Sequence, residues 1–222
     1  MRTLRPARLT GRMRAAMRVF VFLLLAASLI PASAQTDALF AAVAAGNLAE
    51  VERAIGAGAA VDARNEGAET PLFVAAERGD AALVNFLLAK GADVRALTAN
   101  GETVLHAAAL NGEPGLIAAL LARGTEVNRP NRDGERPLFW AAAAGHGRAA
   151  KLLIDRGAEV NAIDHSGNSA LHGAVDGGHE TTTWLLLNQG ANPALRNGAG
   201  DTALDIARRR SFGDVARLLQ AR

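Results

Sequence analysis

The chain has 222 residues, half of them apolar, which is enough to form one domain with a buried core. Its 24 basic and 22 acidic residues give a formal net charge of +2, and cysteine is absent. Without cysteine the chain has no disulfides, no thiol catalysis and no zinc sites built on thiolates, so packing must hold it together.

The N-terminal segment has the three parts of a signal peptide. Six arginines without an acidic residue precede an apolar run at residues 19–30, and Ala32-Ser33-Ala34 then supplies the small-x-small pattern that signal peptidase cleaves. We therefore expect cleavage between Ala34 and Gln35, which removes residues 1–34 and leaves a mature domain of residues 35–222. Translation from Met1, Met13 or Met17 would give the same mature chain.

This segment predicts a periplasmic or secreted protein. An uncleaved membrane anchor is the alternative, although residues 19–30 form a shorter run than the ~17 to 25 residues that span a bilayer. No adjacent pair of arginines occurs in the segment, which disfavours export of the folded chain by the twin-arginine route. After cleavage we expect no association with the membrane.

Cleavage also changes the charge balance. The segment holds six of the 24 basic residues and no acidic one, so the mature chain keeps 18 basic against 22 acidic residues, a formal net charge of −4. The basic character of the whole chain therefore comes from the signal segment. Nucleic-acid binding needs a basic surface, so we expect no nucleic-acid partner.

The rest of the chain repeats with a fixed period. A leucine recurs every 33 residues, at Leu39, Leu72, Leu105, Leu138, Leu171 and Leu204. Nineteen residues after each of the first five leucines comes a glycine that opens a segment such as GAAVD or GAEVN. A period of this length indicates a solenoid, and we refer to the six copies as units 1 to 6.

Unit 2 shows the elements that each copy predicts. Thr70 can cap a short first helix that has Pro71 in its first turn and ends at Gly79. Apolar residues at helical spacing within residues 83–88 predict a second, amphipathic helix that ends at Gly91. A hairpin-like finger then leads into the next unit. One helix pair cannot bury its apolar face alone, so each unit must cover its neighbour.

A few positions depart from the repeat. Fingers turn at Gly101, Gly134, Gly167 and Gly200, whereas unit 2 has Ala68 at this position. Unit 6 carries three consecutive arginines, residues 208–210, where the inner units have small or mixed residues. This change predicts a solvated cap at the C-terminal end of the array.

The segments TPLF, TVLH, RPLF and SALH, together with the 33-residue spacing and the glycine-led segments, resemble the ankyrin repeat family. The resemblance covers residues 37–222. It implies an all-α repeat solenoid of about six units, each a helix-turn-helix pair with a β-hairpin-like finger. It also implies an interaction module without catalytic activity.

No catalytic or metal-binding motif is recognisable. The five histidines lack a metal-binding spacing, and no nucleophile, P-loop or dinucleotide motif occurs, so we predict no enzyme, no metal and no cofactor. His106 and His172 match the histidine of the family's TPLH motif and are expected to form hydrogen bonds at the finger base. His146 and His179 follow the glycine in the middle of their units and are expected to cap a helix or face solvent.

The resemblance places partner binding on the finger tips and on the concave face of the first helices. The predicted contact residues at these positions are Arg78, Leu110, Arg132, Glu135, Trp140 and His165. Trp140 is the preferred anchor, because tryptophan is enriched at interface hot spots and the equivalent positions of other units carry Val74, Ala107, Gly173 and Ile206. An inter-repeat core position is the alternative for Trp140, and Trp184 on a second helix is the rival anchor, on the convex side.

These observations predict a monomeric adaptor that binds another protein in the periplasm or outside the cell. Two alternatives stay open, a membrane-tethered scaffold that keeps its N-terminal segment and a secreted ankyrin effector directed at a host cell. Ankyrin folds have many different partners, so the fold alone does not identify one.

Overall fold

The computed structural model describes residues 31–221, which form twelve α-helices in six consecutive pairs. The pairs are α1 (Ala32–Ala44) with α2 (Leu48–Gly56), α3 (Pro71–Glu77) with α4 (Ala81–Ala89), α5 (Val104–Asn111) with α6 (Pro114–Ala122), α7 (Pro137–Ala143) with α8 (Gly147–Asp155), α9 (Ala170–Asp176) with α10 (Glu180–Asn188), and α11 (Ala203–Arg209) with α12 (Gly213–Gln220). Within residues 31–221 no regular strand occurs, only one isolated bridge between Ile163 and Ser169. The predicted all-α repeat solenoid is therefore confirmed.

Local signals set the ends of the helices as the sequence predicts. The Thr70 hydroxyl oxygen accepts a hydrogen bond from the Phe73 N–H at 3.2 Å, and Pro71 is the first residue of α3. Gly79 follows that helix with a φ of +72°, the left-handed conformation that glycine adopts without strain. Asp80 caps the next helix, because its carboxylate accepts a hydrogen bond from the Leu83 N–H at 3.0 Å.

The core runs through all six units along the row of repeated leucines. Leu39, Leu72, Leu105, Leu138 and Leu171 are buried, whereas Leu204 in the last unit is only partly buried. First helices pack on one another in order from α1 to α11, more extensively than the second helices do. Closer packing on one side makes that side of a solenoid concave, so the first helices and fingers line the inner face.

The fingers are narrow turns joined into a row. In unit 4 the Asn131 side-chain oxygen accepts from the Glu135 N–H at 2.9 Å, and the Asn131 N–H donates to the Glu135 carbonyl at 2.9 Å. Adjacent tips are linked by backbone hydrogen bonds, such as Arg132 N–H to the Asn100 carbonyl and His165 N–H to the Asp133 carbonyl, both 2.8 Å. The hairpin-like fingers are thus present, and they stay in register along the inner face.

Two residues other than glycine adopt the left-handed backbone conformation in the part of the chain that the structure describes. Ala68 has a φ of +56° at the finger turn where the later units have glycine. Ser211 has a φ of +62° at the end of α11, where units 1 to 5 have a left-handed glycine. The chain thus keeps the backbone geometry of the repeat even where the sequence departs from it.

The C-terminal arginines are exposed, as a solvated cap requires, but two of them also form ion pairs. The Arg210 guanidinium donates two hydrogen bonds of 2.9 Å to the Asp176 carboxylate of unit 5, and Arg209 pairs with Asp201. Asp176 lies on the concave face, so this pair joins the cap to the preceding unit. The cap therefore has a structural connection to unit 5 as well as a solvated surface.

Most of the predicted signal peptide, residues 1–30 with its apolar run, lies outside the described residues. The expected cleavage position between Ala34 and Gln35 falls in the first turn of α1, where Ala32, Ser33 and Ala34 are exposed. The buried residues of this helix, Leu39, Ala42 and Val43, follow the cleavage position. Among residues 31–221 no helix is long and apolar enough to cross a membrane.

Candidate partner-binding face

The six predicted contact residues all belong to fingers, first helices or their ends. Arg132 and His165 lie at finger tips, Leu110 in α5, Trp140 in α7, Glu135 before α7 and Arg78 at the C-cap of α3. Glu135 and Trp140 are partly buried, and the other four are exposed. A direct contact joins two of the six, Glu135 and Trp140.

Glu135 holds the Trp140 indole in place. The indole Nε1–H donates to Glu135 Oε2 at 2.8 Å, and the same oxygen accepts from Asn131 Nδ2 at 3.0 Å. Glu135 was predicted to contact the partner, but its carboxylate is already engaged with the finger and with the indole. It therefore acts as a support that orients the aromatic ring.

His106 of unit 3 supports the Trp140 indole from the neighbouring helix. The two ring centroids are 5.4 Å apart and the planes lie at 77°, an edge-to-face arrangement. The indole is partly buried against the core while part of it remains accessible. Trp140 therefore contacts the neighbouring unit, as an inter-repeat core position would, and its role as a binding anchor stays a prediction.

The hydrogen bonds of His106 establish its tautomer. Its Nδ1 accepts from the Thr103 N–H at 3.0 Å, so the proton must be on Nε2, which donates to the Glu135 carbonyl at 3.1 Å. The ring is fully buried, and this burial lowers the pKa of His106 to about 4. The expected role at the finger base is confirmed, and the ring is neutral at physiological pH.

His172 repeats this arrangement two units later. Its Nδ1 accepts from the Ser169 N–H at 3.1 Å, and Nε2 lies 3.3 Å from the Asp201 carbonyl of unit 6. Burial again lowers the pKa, although the Asp201 carbonyl and the nearby carboxylates of Asp164 and Asp201 oppose the shift. Each of the two histidines connects its own helix start to the finger of the next unit.

His146 and His179 have a different role from the one expected. Each is the N-cap residue of a second helix, but neither side chain caps that helix. Their Nε2 atoms lie 2.9 Å from the Leu110 carbonyl and 3.0 Å from the Ala143 carbonyl, each in the first helix of the preceding unit. The expectation of a cap or a solvated side chain was wrong, because the imidazole is long enough to reach the neighbouring unit.

The tips of fingers 3 to 5 form a polar edge beside Trp140. The Asn100 side-chain amide donates to the Asp133 carboxylate at 2.8 Å, which adds to the backbone bonds between the tips. Arg132 and His165 extend from this edge as exposed side chains. Their backbones are fixed by hydrogen bonds to the neighbouring finger, so a partner would meet side chains on a rigid base.

An acidic patch lies toward the N-terminal end of the inner face. Burial raises the pKa of Glu77, and the nearby carboxylates of Glu69 and Glu102 raise it further. Glu69 and Glu102 are held by hydrogen bonds from Asn65 and Thr98 at the bases of their fingers. The three carboxylates therefore lie close enough to repel one another.

Sequence reasoning missed a pocket on the inner face of units 4 to 6. It has a volume of about 380 Å³ and an apolar floor that includes Phe139, Ala143, Gly173 and Ile206, with Asn168 at its rim. The signal that could have revealed it was Gly173, which has no side chain at the position that carries tryptophan one unit earlier.

Trp184 lies on α10, a second helix, and 52% of its surface is exposed. It is therefore on the convex side, as expected for the rival anchor. Unlike Trp140, it has no aromatic or side-chain hydrogen-bond partner among the contacts of the described residues. Among residues 31–221 no group of histidine and acidic side chains is arranged to hold a metal ion.

Comparison with known families identifies the fold. A family described as ankyrin repeats (3 copies) matches residues 13–98, 39–131 and 72–164, and the single ankyrin repeat matches residues 166–198. No curated protein matches the chain. Unit 6 lies mostly beyond these matches, yet its helices α11 and α12 pack on the helices of unit 5. The chain belongs to the ankyrin repeat family.

Proposed function

We propose that the chain is a non-enzymatic adaptor that binds another protein through its concave face and finger tips. Ankyrin repeats generally mediate protein–protein interaction and are usually not enzymes. The observation that supports a site on this face is the Trp140 indole, which is partly accessible and fixed by Glu135 and His106.

A rigid aromatic side chain is well suited to be a binding anchor. Ordering a flexible side chain on binding costs about 0.5–1.5 kcal/mol, and the hydrogen bond to Glu135 has already fixed the indole. Leu110, 39% exposed at the end of the preceding first helix, adds apolar surface to the same face. Arg132 and His165 at the finger tips would supply the polar edge of the interface, and Arg78 its margin in unit 2.

The proposed location is the periplasm or the exterior of the cell, with a monomeric mature chain of residues 35–222. Support comes from the arginine-rich start, the apolar residues 19–30 and the small residues before Gln35. The membrane-tethered scaffold and the host-directed effector remain the alternatives. In all three cases the same ankyrin face would bind the partner.

The location can be tested by expressing the full chain and fractionating the cells. Mass spectrometry of the periplasmic or secreted protein should show Gln35 as its first residue, and light scattering should give the mass of one mature chain. An intact segment of residues 19–30 in a membrane fraction would establish the tethered alternative instead.

The binding role can be tested with the mature protein as bait in a periplasmic extract. We expect a protein to be retained by the wild-type bait and by a Trp184→Ala bait, but not by a Trp140→Ala bait of unchanged helicity. Equal recovery on all three baits would contradict a site at Trp140.

A further inference from the structure

We infer that unit 5 carries a pocket on the concave face that takes an aromatic side chain of the partner, in the place that Trp140 fills in unit 4. The inference deepens the proposed function and rests on it, because the aromatic group would belong to the protein that the concave face binds.

Comparison of units 4 and 5 shows which side chain is absent from the pocket. Trp140 and Gly173 each stand two residues after the repeated leucine, in helices α7 and α9 of equal length. In unit 4 the indole covers the inner face, whereas in unit 5 the absent side chain leaves the pocket of about 380 Å³. The cavity therefore occupies the register of a tryptophan.

The floor of the pocket offers an aromatic surface. Trp140 packs edge-to-face on His106, and the residue equivalent to His106 one unit later is Phe139. A Cβ atom placed on Gly173 would lie 3.1 Å from Phe139 Cε2 and 3.2 Å from Ala143 Cβ. Both contacts would be tight, so Phe139 packs directly against the Gly173 backbone and forms part of the pocket floor. A ring entering the pocket would meet Phe139 as the indole meets His106.

The rim of the pocket has a hydrogen-bond acceptor at the position equivalent to the acceptor of unit 4. Asn168 stands where unit 4 has Glu135, which accepts from the indole N–H. The Asn168 Oδ1 atom accepts one hydrogen bond, from Asn197 Nδ2 at 3.0 Å, and an amide oxygen has a second lone pair. A ring that carries an N–H or O–H group, as tryptophan and tyrosine do, can use that acceptor.

The charges at the rim favour a neutral ligand. Asp176 lines the pocket and is paired with Arg210, while Arg209, also at the rim, is paired with Asp201. Because each acidic group has a basic partner, the pocket does not select for a charged side chain. The pocket thus has an apolar floor, a hydrogen-bond acceptor and a rim whose charges are paired. These features together fit an aromatic side chain with one hydrogen-bond donor.

The purified protein can be titrated with N-acetyl-tryptophanamide and followed by ¹H–¹⁵N NMR. We expect saturable shifts at the amides of Gly173, Asn168 and Ile206, with a millimolar Kd, and an affinity at least fivefold lower for N-acetyl-leucinamide. N-acetyl-1-methyltryptophanamide, which lacks the indole N–H, should bind at least threefold more weakly. No saturable shift at these amides, or equal affinity for all three probes, would overturn the pocket.

Blocking the pocket gives a second test. Ala143→Leu introduces the residue that unit 3 has at this position, Leu110. It should raise the Kd for N-acetyl-tryptophanamide at least tenfold. Ala122→Leu, the same change at an exposed position of α6, should leave it unchanged. Unaltered binding by Ala143→Leu would refute the assignment, and if that variant does not fold the comparison of the three probes decides.

The probe experiment needs no partner protein, so the two proposals can fail separately. Probe binding without capture of any protein would refute the proposed function alone. Capture that depends on Trp140, with no probe binding at Gly173, would refute the pocket alone.

Discussion

Units 4 and 5 have almost the same backbone and very different inner surfaces. Their first helices each have seven residues and their second helices nine, and Leu138 and Leu171 are equally buried. Yet unit 4 presents Trp140 on the concave face, and unit 5 presents Gly173 beside a pocket.

The difference shows which positions the fold determines. His146 and His179, which contact the preceding unit, are alike in both units, because each reaches a backbone carbonyl in the first helix of that unit. The position that faces the inner surface differs most, with the largest side chain in unit 4 and none in unit 5, where Phe139 packs close to Gly173. Variation between units at an inner-face position is where a specific binding surface can be built.

The largest effect should come from lowering the pH, through protonation of His106, which packs against Trp140 of unit 4. The folded-state pKa of His106 is about 4 against 6.5 in the unfolded chain, so the unfolded state binds more protons between these values. The contribution of the neutral His106 ring to the free energy of unfolding should be complete above pH 6.5. It should fall as the pH drops towards 4, by about 3 kcal/mol at about 1.4 kcal/mol per pKa unit. Urea unfolding at a series of pH values measures this loss.

A matched variant assigns the acid effect to this ring. His106→Phe introduces the residue found at this position in units 2 and 4, and it should unfold with a smaller difference in stability between pH 7 and pH 5. An unchanged difference would mean that other groups cause the acid sensitivity. NMR of Trp140→Ala should also show the pKa of His106 moving upward, because the indole no longer shields the ring.

The next largest loss of stability should come from disturbing the contact between units 4 and 5. A Cβ atom on Gly145 would lie 2.5 Å from the His179 ring, in a backbone with a φ of +78°. Gly157, with a φ of +91°, has open space around the same atom. We expect Gly157→Ala to cost about 1 kcal/mol from its backbone and Gly145→Ala about 3 kcal/mol in total. Chemical denaturation compares them, and equal costs would show that the contact with His179 is unimportant.

A smaller effect should appear where the repeat lacks its glycine. Ala68→Gly and Ser211→Gly should each stabilise the chain by about 1 kcal/mol, because both positions have a positive φ. Ala99→Gly, in the finger of unit 3, is the control, since Ala99 is not left-handed and the change should be neutral or destabilising. Thermal unfolding of the three variants provides the measurement, and destabilisation by Ala68→Gly would contradict a strained turn.

The smallest effect should come from the acidic patch. The pKa of Glu77 is raised in the folded state, so its contribution to stability is complete below the unfolded pKa and is lost as the pH rises through the folded one. Glu77→Gln should therefore raise the unfolding temperature slightly at pH 7 and less in high salt. Glu52→Gln, an exposed change on α2 outside the patch, should have no comparable salt dependence. Identical behaviour of the two variants would refute repulsion within the patch.

Much of this fold could be predicted from one unit. Thr70, Pro71 and Gly79 determine a helix start and stop locally, and the constant spacing carries those signals to the other units. The bonds of His106 followed from its place in the motif. In each case the interacting groups are fixed by position in the repeat.

The inner surface could not be predicted as well, because it depends on contacts between units. The sequence shows His146 after a glycine but not that its ring reaches the Leu110 carbonyl. It shows Glu135 near Trp140 but not that the carboxylate is already used by the indole. The missing side chain of Gly173 is visible in the sequence, yet a cavity appears only when Phe139 and Ile206 are placed around it.

The most direct test of the concave binding face is the affinity of the captured partner for two tryptophan variants. We expect Trp140→Ala to keep its helicity and to weaken binding by at least ~2 kcal/mol, about 30-fold in Kd, the usual size for a hot spot. Trp184→Ala should leave the Kd within about twofold of wild type, since its side chain lies on the convex side. Loss of binding in Trp184→Ala, with Trp140→Ala only less stable, would place the working surface on the second helices.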